Sequence, residues 1–173
     1  ADPAAGRVAQ RRRRAELYRA ALARISTLPG VRSAALSAAT TPLFTRDGFG
    51  PDELRVPGVD SIPRVPGGGP YKYSGTEDFF STLGVTVTRG RAFEPAEFKD
   101  GTEPVAMVNE SFARRFWPGE NPIGRRLSTG RGGAREVVGV VRDGKYRSLT
   151  EAPQPHFYEP FAQAYEPDMV LVA

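Results

Sequence analysis

Cysteine is absent from this chain, histidine occurs once, and apolar runs are short. The lack of cysteine excludes disulfides, thiolate metal sites and cysteine nucleophiles. One histidine, His156, is too few for a multi-histidine metal site within a single chain. No apolar run approaches the ~20 residues that span a bilayer, and the N-terminus shows no secretory signal. The sequence therefore predicts a globular domain with no metal site and no cofactor.

The composition is typical of one globular domain, or of two small subdomains that share a core. Of the 173 residues, 39% are hydrophobic and 25% are charged, as in ordinary folded proteins. The 16 prolines and 19 glycines predict short elements joined by many turns. The first three residues precede a predicted helix that has no natural start, and residues 169–173 stop within a predicted strand, so we expect a piece excised from a larger protein.

A run of four arginines at residues 11–14 contributes much of the net charge of +4. Such runs usually form a solvated helix face, and this is the favoured interpretation. Two other partners stay open, namely anionic lipid headgroups, which attract basic clusters, and nucleic acid. Nucleic acid is the weaker of the two because no aromatic residues interleave with the run to stack on bases.

The first part of the chain predicts a helix, a strand and a long loop. Apolar residues at helical spacing predict an amphipathic helix over 10–28 that lays its apolar stripe on a sheet. The stripe consists of Tyr18, Ala21, Leu22, Ile25 and Leu28. Residues 31–38 predict a strand, and the Pro/Gly-rich residues 40–69 predict an irregular loop. Its glycines at 67–69 lack a following Gly-Lys-Ser/Thr, which argues against a phosphate loop.

The second part predicts short strands that alternate with short helices. The predicted strands are 71–74, 85–88, 105–108, 135–141, 153–160 and 169–172. Thr76 is the predicted N-cap of one helix, which Gly84 ends. Asn109 is the predicted N-cap of a second helix over 109–116. The aromatic residues predicted to form the core are Phe79, Phe80, Phe93, Phe112, Phe116 and Trp117.

No combination of residues predicts catalysis. His156 lies in an extended Pro-rich segment, and no Gly-x-Ser-x-Gly elbow is present, which argues against a serine hydrolase. The carboxylate pairs Glu94/Glu97 and Asp52/Glu53 lie in polar connectors, where we expect them to be solvated. We therefore assign no catalytic, cofactor-binding or metal-binding residue.

Arginine pairs at 114–115 and 125–126 could hold an anion, because guanidinium groups suit carboxylate and phosphate. Structural pairing with Glu110, Glu120 or Glu136 is the favoured interpretation. A module that binds a ligand or partner through these arginines and the aromatic residues is the alternative function. An enzyme is the weakest of the functions considered.

Three segments, taken in order, resemble the periplasmic core domain of MacB/FtsX-type ABC transporter permeases. The first is an amphipathic helix followed by LPGVRSAALSAATTPL, and the second is YSGTEDFFSTLGVTVTRGRAF. The third is VAMVNESFARRFWPGENPIGRRL, followed by REVVGVVRD and PHFYEPF. The ordered set is specific and covers nearly the whole chain apart from the loop at 40–69. The pattern is most similar to acidobacterial permeases of unassigned substrate.

The resemblance implies an α+β fold on the extracytoplasmic (periplasmic) face of the bacterial inner membrane. Residues 1–93 with 151–173 would form a porter-like α+β subdomain, and residues 94–150 an inserted, mainly β subdomain. The domain would stand between two transmembrane helices of its permease and transmit movement driven by a cytoplasmic ATPase. A second permease domain, a periplasmic adaptor and the nearby membrane surface are further implied partners, whereas nucleic acid is not. The loop at 40–69 departs from the macrolide exporter's pattern, which leaves adaptor docking open.

Attachment to the membrane at both ends has a geometric consequence. The strands predicted at 31–38 and 169–172 should be neighbours in one sheet, since each leads to a membrane helix. A rigid sheet held at both ends can turn helix movement into rotation of the domain.

Overall fold

The computed structural model describes residues 3–38, 54–59, 70–99, 101–129, 133–146, 148, 150–164 and 169–173, with backbone only at residues 3–12 and 38. Within these residues nine strands form one mixed sheet. The helices are α1 (Pro3–Ile25), α2 (Phe79–Thr82) and α3 (Glu110–Phe116), with a 3-10 helix at Pro95–Phe98. The strands are β1 (Ala35–Ala38), β2 (Leu54–Arg55), β3 (Tyr71–Gly75), β4 (Val87–Gly90), β5 (Val105–Asn109), β6 (Arg126–Thr129), β7 (Gly133–Val141), β8 (His156–Pro160) and β9 (Met169–Val172).

The order of strands across the sheet is β2-β6-β7-β5-β8-β3-β1-β9, and β4 pairs with the far end of β7. The pairs β5–β7 and β3–β8 are parallel, whereas the other pairs are antiparallel. Parallel neighbours need a crossover connection, and β5 reaches β7 through α3 and β6. The predicted α+β class is confirmed, and so is the predicted pairing of the strands near 31–38 and 169–172.

Two hydrophobic clusters lie on opposite faces of the sheet, because side chains alternate along each strand. The α3-side cluster comprises Leu54, Val56, Ala106, Val108, Phe112, Ala113, Phe116, Trp117, Leu127, Val137, Val140 and Phe157. The α2-side cluster comprises Ala35, Tyr71, Tyr73, Phe79, Phe80, Val105, Met107, Val138, Val141, Tyr146 and Tyr158. The central strand β5 contributes alternate residues to both clusters and is buried throughout. The predicted aromatic core is confirmed, with Phe93 packed at the margin of the α2-side cluster.

Most predicted elements are present with shifted bounds. The helix predicted over 10–28 runs from Pro3 to Ile25, and the strand predicted over 85–88 is Val87–Gly90. Within the predicted loop at 40–69, the short strand β2 pairs with β6. The residues Asp52, Glu53 and 67–69 lie outside the described residues.

The division into 1–93 with 151–173 and an inserted 94–150 stays a prediction. Strands of the two predicted parts pair with each other, since β5 pairs with β8 and β4 pairs with β7. In the β4–β7 pair, Gly90 lies directly opposite Gly139. A Cβ at Gly90 would approach the Val138 carbonyl oxygen to 2.3 Å, and one at Gly139 would approach the Arg91 carbonyl oxygen to 2.1 Å. Only glycine permits backbones to meet this closely.

The N-terminus of α3 is held by two polar side chains. Asn109 is the N-cap, as predicted, and its Oδ1 accepts a hydrogen bond from Phe112 N at 2.9 Å. Asp143, which follows β7, accepts from Ser111 N at 2.8 Å and from Ser111 Oγ at 2.7 Å. A carboxylate at this position also interacts favourably with the helix dipole. The helix is therefore fixed to both β5 and β7.

Replacement of Asp143 by Ala should lower the free energy of unfolding by about 2 kcal/mol, since it leaves Ser111 N without its acceptor. Urea denaturation of the purified chain measures the change. Asp78→Ala is the matched control, because Asp78 precedes α2 but makes no side-chain cap bond; it should change stability by less than about 0.5 kcal/mol. Equal effects of the two substitutions would contradict this account of Asp143.

Candidate functional site

The outer edge of the sheet forms a unit of its own, here called the outer unit, which consists of β1 and β9. Four residue pairs join β1 to β9, from Ala35↔Val172 to Ala38↔Met169. By contrast, β1 meets β3 at one residue pair, Ser37↔Gly75. The outer unit is therefore well paired internally and narrowly attached to the rest of the described sheet. We call this attachment the joint.

Thr76 closes the joint with two hydrogen bonds to one residue of β1. Its Oγ1 accepts from Leu36 N at 3.0 Å, and its own N donates to Leu36 O at 3.0 Å. The prediction that Thr76 caps the following helix is wrong. That helix begins at Phe79 and its N-cap is Asp78. The Thr76 hydroxyl continues the strand ladder where the paired residues of β1 and β3 end.

Close packing between β3 and α2 makes glycine necessary beside Thr76. A Cβ at Gly75 would lie 2.6 Å from Phe79 Cγ, a ring that packs in the α2-side cluster. A hydroxyl pair adds a second link, since Ser33 Oγ lies 2.5 Å from Thr82 Oγ1 at the end of α2. The joint thus combines one strand pair, the Thr76 bonds, this hydroxyl contact and the packing of Ala35 in the α2-side cluster.

Helix α1 covers the joint loosely. Its predicted stripe is only half-buried at Tyr18, Leu22 and Ile25, while Ala21 and Leu28 of the same stripe are exposed. Beneath the helix lies a cavity of about 370 Å³. Its apolar lining includes Tyr18, Leu22, Leu36, Phe98 and Phe161. Over residues 13–25, where its side chains are described, the helix meets the sheet through these half-buried residues.

The single histidine lies in the core, where the sequence left packing or solvent open. His156 is 1% exposed. Its ring stacks on Tyr71 with centroids 5.3 Å apart, and its Nδ1 lies 2.8 Å from Gln154 O. Tyr146 lies against the same ring at 4.7 Å and shares a 2.8 Å hydroxyl contact with Tyr158. His156 therefore helps to pack β8 against β3.

Burial makes the two hydroxyl-linked tyrosines harder to ionise. It raises the pKa of Tyr146 to about 12, although the hydrogen bond shared with Tyr158 acts in the opposite direction. Burial also raises the pKa of Tyr158 well above its ordinary value. Both phenols are therefore neutral in the folded chain at pH values where an unfolded tyrosine has begun to ionise.

The acidic residues differ from the prediction in one respect. Glu97 is buried rather than solvated, because its carboxylate accepts from Arg91 at 2.7 and 3.1 Å and from Glu94 N at 2.7 Å. This carboxylate raises the pKa of Arg91 above its already high value. In the described part of the chain no group of three acidic or histidine side chains is placed to hold a metal ion.

The exposed arginines are partly paired as predicted. Arg125 binds Glu120. Arg114 instead binds Asp143 at 2.7 Å, rather than one of the three predicted glutamates. Asp143 is thereby shared between a helix terminus and an arginine of the same helix.

A buried ion pair in the centre of the sheet was not predicted from the sequence. Arg135 Nε lies 2.7 Å from Glu159 Oε1, with side chains 5% and 1% exposed. The two residues belong to β7 and β8, which flank β5. Ala106 of β5 faces the same side and is small enough to let them meet. Loss of either partner would leave a buried charge, which typically costs about 3–5 kcal/mol.

Comparison with known proteins identifies the family. The MacB-like periplasmic core domain model matches residues 4–172. The chain therefore belongs to this family, and it is an extracytoplasmic domain of a MacB-like ABC transporter permease. Among the residues that the structure describes, no helix is both long and apolar enough to cross a membrane. The closer similarity to acidobacterial permeases stays a prediction.

Solved structures show the same fold at low sequence identity. The periplasmic region of MacB from Actinobacillus actinomycetemcomitans matches with a TM-score of 0.59 and 19% identity over 87% of this chain and 61% of that one. The extracellular domain of the noncanonic ABC-type transporter YknZ from Gram-positive bacteria matches with a TM-score of 0.58 and 16% identity, over 88% and 70% of the two chains. This chain spans less than two thirds of the MacB periplasmic region that it matches. No curated protein matches the sequence.

Replacement of Thr76 by Val should weaken the joint, because the shape is kept while the acceptor for Leu36 N is lost. We expect the unfolding free energy to fall by about 1–3 kcal/mol and the Leu36 amide to exchange hydrogen faster. Hydrogen exchange followed by NMR measures both. Thr76→Ser should restore the protection of Leu36, and Thr86→Val, at an exposed position, should leave it unchanged. Unchanged protection in Thr76→Val would contradict the role of the hydroxyl.

Stability should fall at alkaline pH through Tyr146. Its folded pKa of about 12 exceeds the ordinary value of 10.0, so its contribution is complete below pH 10 and is lost as the pH rises through 12. The loss for one such group reaches about 3 kcal/mol. Tyr146→Phe should be less stable than wild type at pH 8, and this deficit should shrink or reverse by pH 11.5.

Urea denaturation across this pH range measures the effect. Val138→Ala is the control, since Val138 lies in the same cluster and carries no titratable group. Its deficit should stay constant with pH. A constant deficit for Tyr146→Phe as well would show that the tyrosine does not cause the pH dependence.

Proposed function

We propose that this domain transmits ATP-driven movement of its permease to the extracytoplasmic space and has no chemistry of its own. The observation that carries the proposal is the contrast between the strand pairs of the outer unit. Four residue pairs hold β1 to β9, and one pair holds β1 to β3. A unit that is firmly paired within itself and narrowly attached moves as a body, with the change in angle taken up at the attachment.

Both proposed membrane connections lead to this same unit. A membrane helix ahead of α1 would act on β1, which follows α1 in the chain. A membrane helix beyond β9 would act on β1 through the four paired residues. Displacement of either helix would therefore reach the joint. A cytoplasmic ATPase is the proposed source of the displacement, and a second permease domain and an adaptor stay predictions.

The rest of the sheet is braced against the same displacement. Gln163, in the segment after β8, accepts from Val105 N at 2.9 Å and donates to Glu97 O at 3.2 Å. The Arg135–Glu159 ion pair crosses β5. These contacts favour movement at the joint over deformation of the sheet beyond it. We call the sheet from β3 to β2, with α2 and α3, the body.

The alternative function, binding of a ligand or partner through the aromatic residues and the arginine pairs, receives less support. Arg114 binds Asp143 and Arg125 binds Glu120 within the chain. The aromatic residues that suggested it are all buried in the two clusters or packed at their margin: Phe79, Phe80, Phe93, Phe112, Phe116 and Trp117. Burial leaves these rings to stabilise the sheet.

Distance measurements in the complete permease with its ATPase test the proposal. Spin labels at Leu171→Cys, an exposed position in β9, and at Arg126→Cys in the body report on the joint, and these 173 residues contain no cysteine. We expect their separation to change by about 2 Å or more between the nucleotide-free and ATP-bound states. Labels at Arg126→Cys and Arg142→Cys, both in the body, should keep their separation. No change in the first pair, or equal changes in both, would contradict the proposal.

A reversible cross-link across the joint tests whether movement at the joint causes the distance change. Ser33→Cys with Thr82→Cys should form a disulfide, because the native hydroxyl oxygens are 2.5 Å apart. Its formation should abolish the distance change, and reduction should restore it. A disulfide between Ser128→Cys and Ala134→Cys, which are paired in β6 and β7, should leave the change intact.

A further inference from the structure

The cavity of about 370 Å³ beneath α1 matches small-molecule sites in size and lining. Such sites typically measure about 300–1,000 Å³ and are mainly apolar, with a few polar groups. Here α1 contributes Tyr18 and Leu22, β1 contributes Leu36, and the segment after β8 contributes Phe161. Tyr18 and Leu22 are only half-buried. An apolar molecule in the cavity would therefore remove more of their surface from water.

Two cations border this apolar lining. Arg19 of α1 donates from Nη2 to Phe98 O at 3.4 Å, which brings its guanidinium to the segment that carries Lys99, the next residue. Both side chains line the cavity and both are exposed. Over the residues that the structure describes, neither forms an ion pair. Because like charges repel, an anion placed between them would be bound favourably.

Two acids, Glu77 and Asp78, also line the cavity, in the segment between the joint and α2. The two positive and two negative charges cancel, so the net charge of the lining does not select a partner. Geometry favours an anion, because Arg19 is held at the cavity by a bond that uses one of its five N–H donors. The remaining donors of a planar guanidinium suit a carboxylate or a similar oxyanion.

We propose that this cavity binds an amphiphilic anion, in which one apolar chain or ring system carries a carboxylate or sulfonate head. The apolar part would lie against Leu22, Leu36 and Phe161, and the head would bind Arg19 and Lys99. This site differs from the buried aromatic residues and the arginine pairs considered above.

A molecule in this cavity would contact both sides of the joint. Leu36 belongs to the outer unit, whereas Phe161 follows β8 of the body and its N donates to Gly75 O of β3 at 3.0 Å. Binding would therefore hold the outer unit at one angle to the body. This consequence rests on the proposed function, in which the joint moves, whereas the binding itself does not.

Fluorescence titration of the 173-residue chain tests the proposal with two probes of similar shape. Anilinonaphthalene sulfonate carries an anionic head, and phenylnaphthylamine has the same rings without it. The anionic probe should bind about tenfold more tightly or better, because hydrogen bonds to charged groups are among the stronger ones. Dodecanoate should displace this probe at lower concentration than dodecylammonium does. Bound dodecanoate should also slow hydrogen exchange at the Leu36 amide.

Two double variants locate the anion. Arg19→Gln with Lys99→Gln should remove the preference for the anionic probe. Arg126→Gln with Arg142→Gln is the matched control, since it makes the same change in net charge at exposed positions that do not line this cavity. It should keep the preference. Ala162→Phe places a larger side chain in the lining of the cavity and should weaken the binding of both probes.

Three results would each overturn the proposal. They are equal affinity of the wild type for the two probes, equal loss of preference in both double variants, and better displacement by dodecylammonium than by dodecanoate. All four positions in the double variants are exposed, so urea midpoints should equal that of the wild type, and these variants decide the matter even where Ala162→Phe unfolds the chain. Unchanged exchange at Leu36 with dodecanoate bound would overturn the placement across the joint. No measurement here needs ATP, so failure would leave the joint experiment unaffected.

Discussion

The centre of this domain depends on one buried amide, that of Asn109. It stands at the end of β5 with no exposed surface. Its Oδ1 accepts from Phe112 N and from His156 N, each at 2.9 Å, and its Nδ2 donates to Gln154 O at 2.7 Å. One side chain thereby fixes a strand, the helix that follows and a strand far along the chain. Because a buried amide must satisfy its donors and acceptors, few other arrangements of these three segments are open.

The motifs that suggested the family prove to be structural devices. The Arg-Gly-Arg motif contains Gly90, whose lack of a side chain admits the Val138 carbonyl, and Arg91, which pairs with Glu97. The Asn-Glu-Ser motif contains the N-cap Asn109. Neither motif brings together a nucleophile, a base or metal ligands. Both motifs therefore serve the packing of the fold that the family model matches.

Local features of the fold could be predicted from sequence, whereas cross-strand partners could not. The cap at Asn109 follows from residue type and the three residues after it. Thr76 shows the same sequence pattern as Asn109, but its hydroxyl accepts a hydrogen bond from Leu36 N of β1 instead of capping a helix. The Arg135–Glu159 ion pair forms because β7 and β8 flank β5. The burial of Glu97 depends on a turn that brings Arg91 near its carboxylate. Such partners are fixed by strand order and register, which periodicity along the chain does not contain. Attachment at both ends predicts the pairing of β1 with β9. It does not predict that β1 meets β3 at one residue pair.

The pairing of β1 with β9 joins residues 35–38 to residues 169–172, which lie far apart in the chain. During synthesis on the ribosome β1 emerges well before β9, and closing so long a loop adds a further delay. Until then β1 exposes one unpaired edge, which can pair with another chain. Pairing with β9 therefore protects this edge of β1 against strand exchange with another chain.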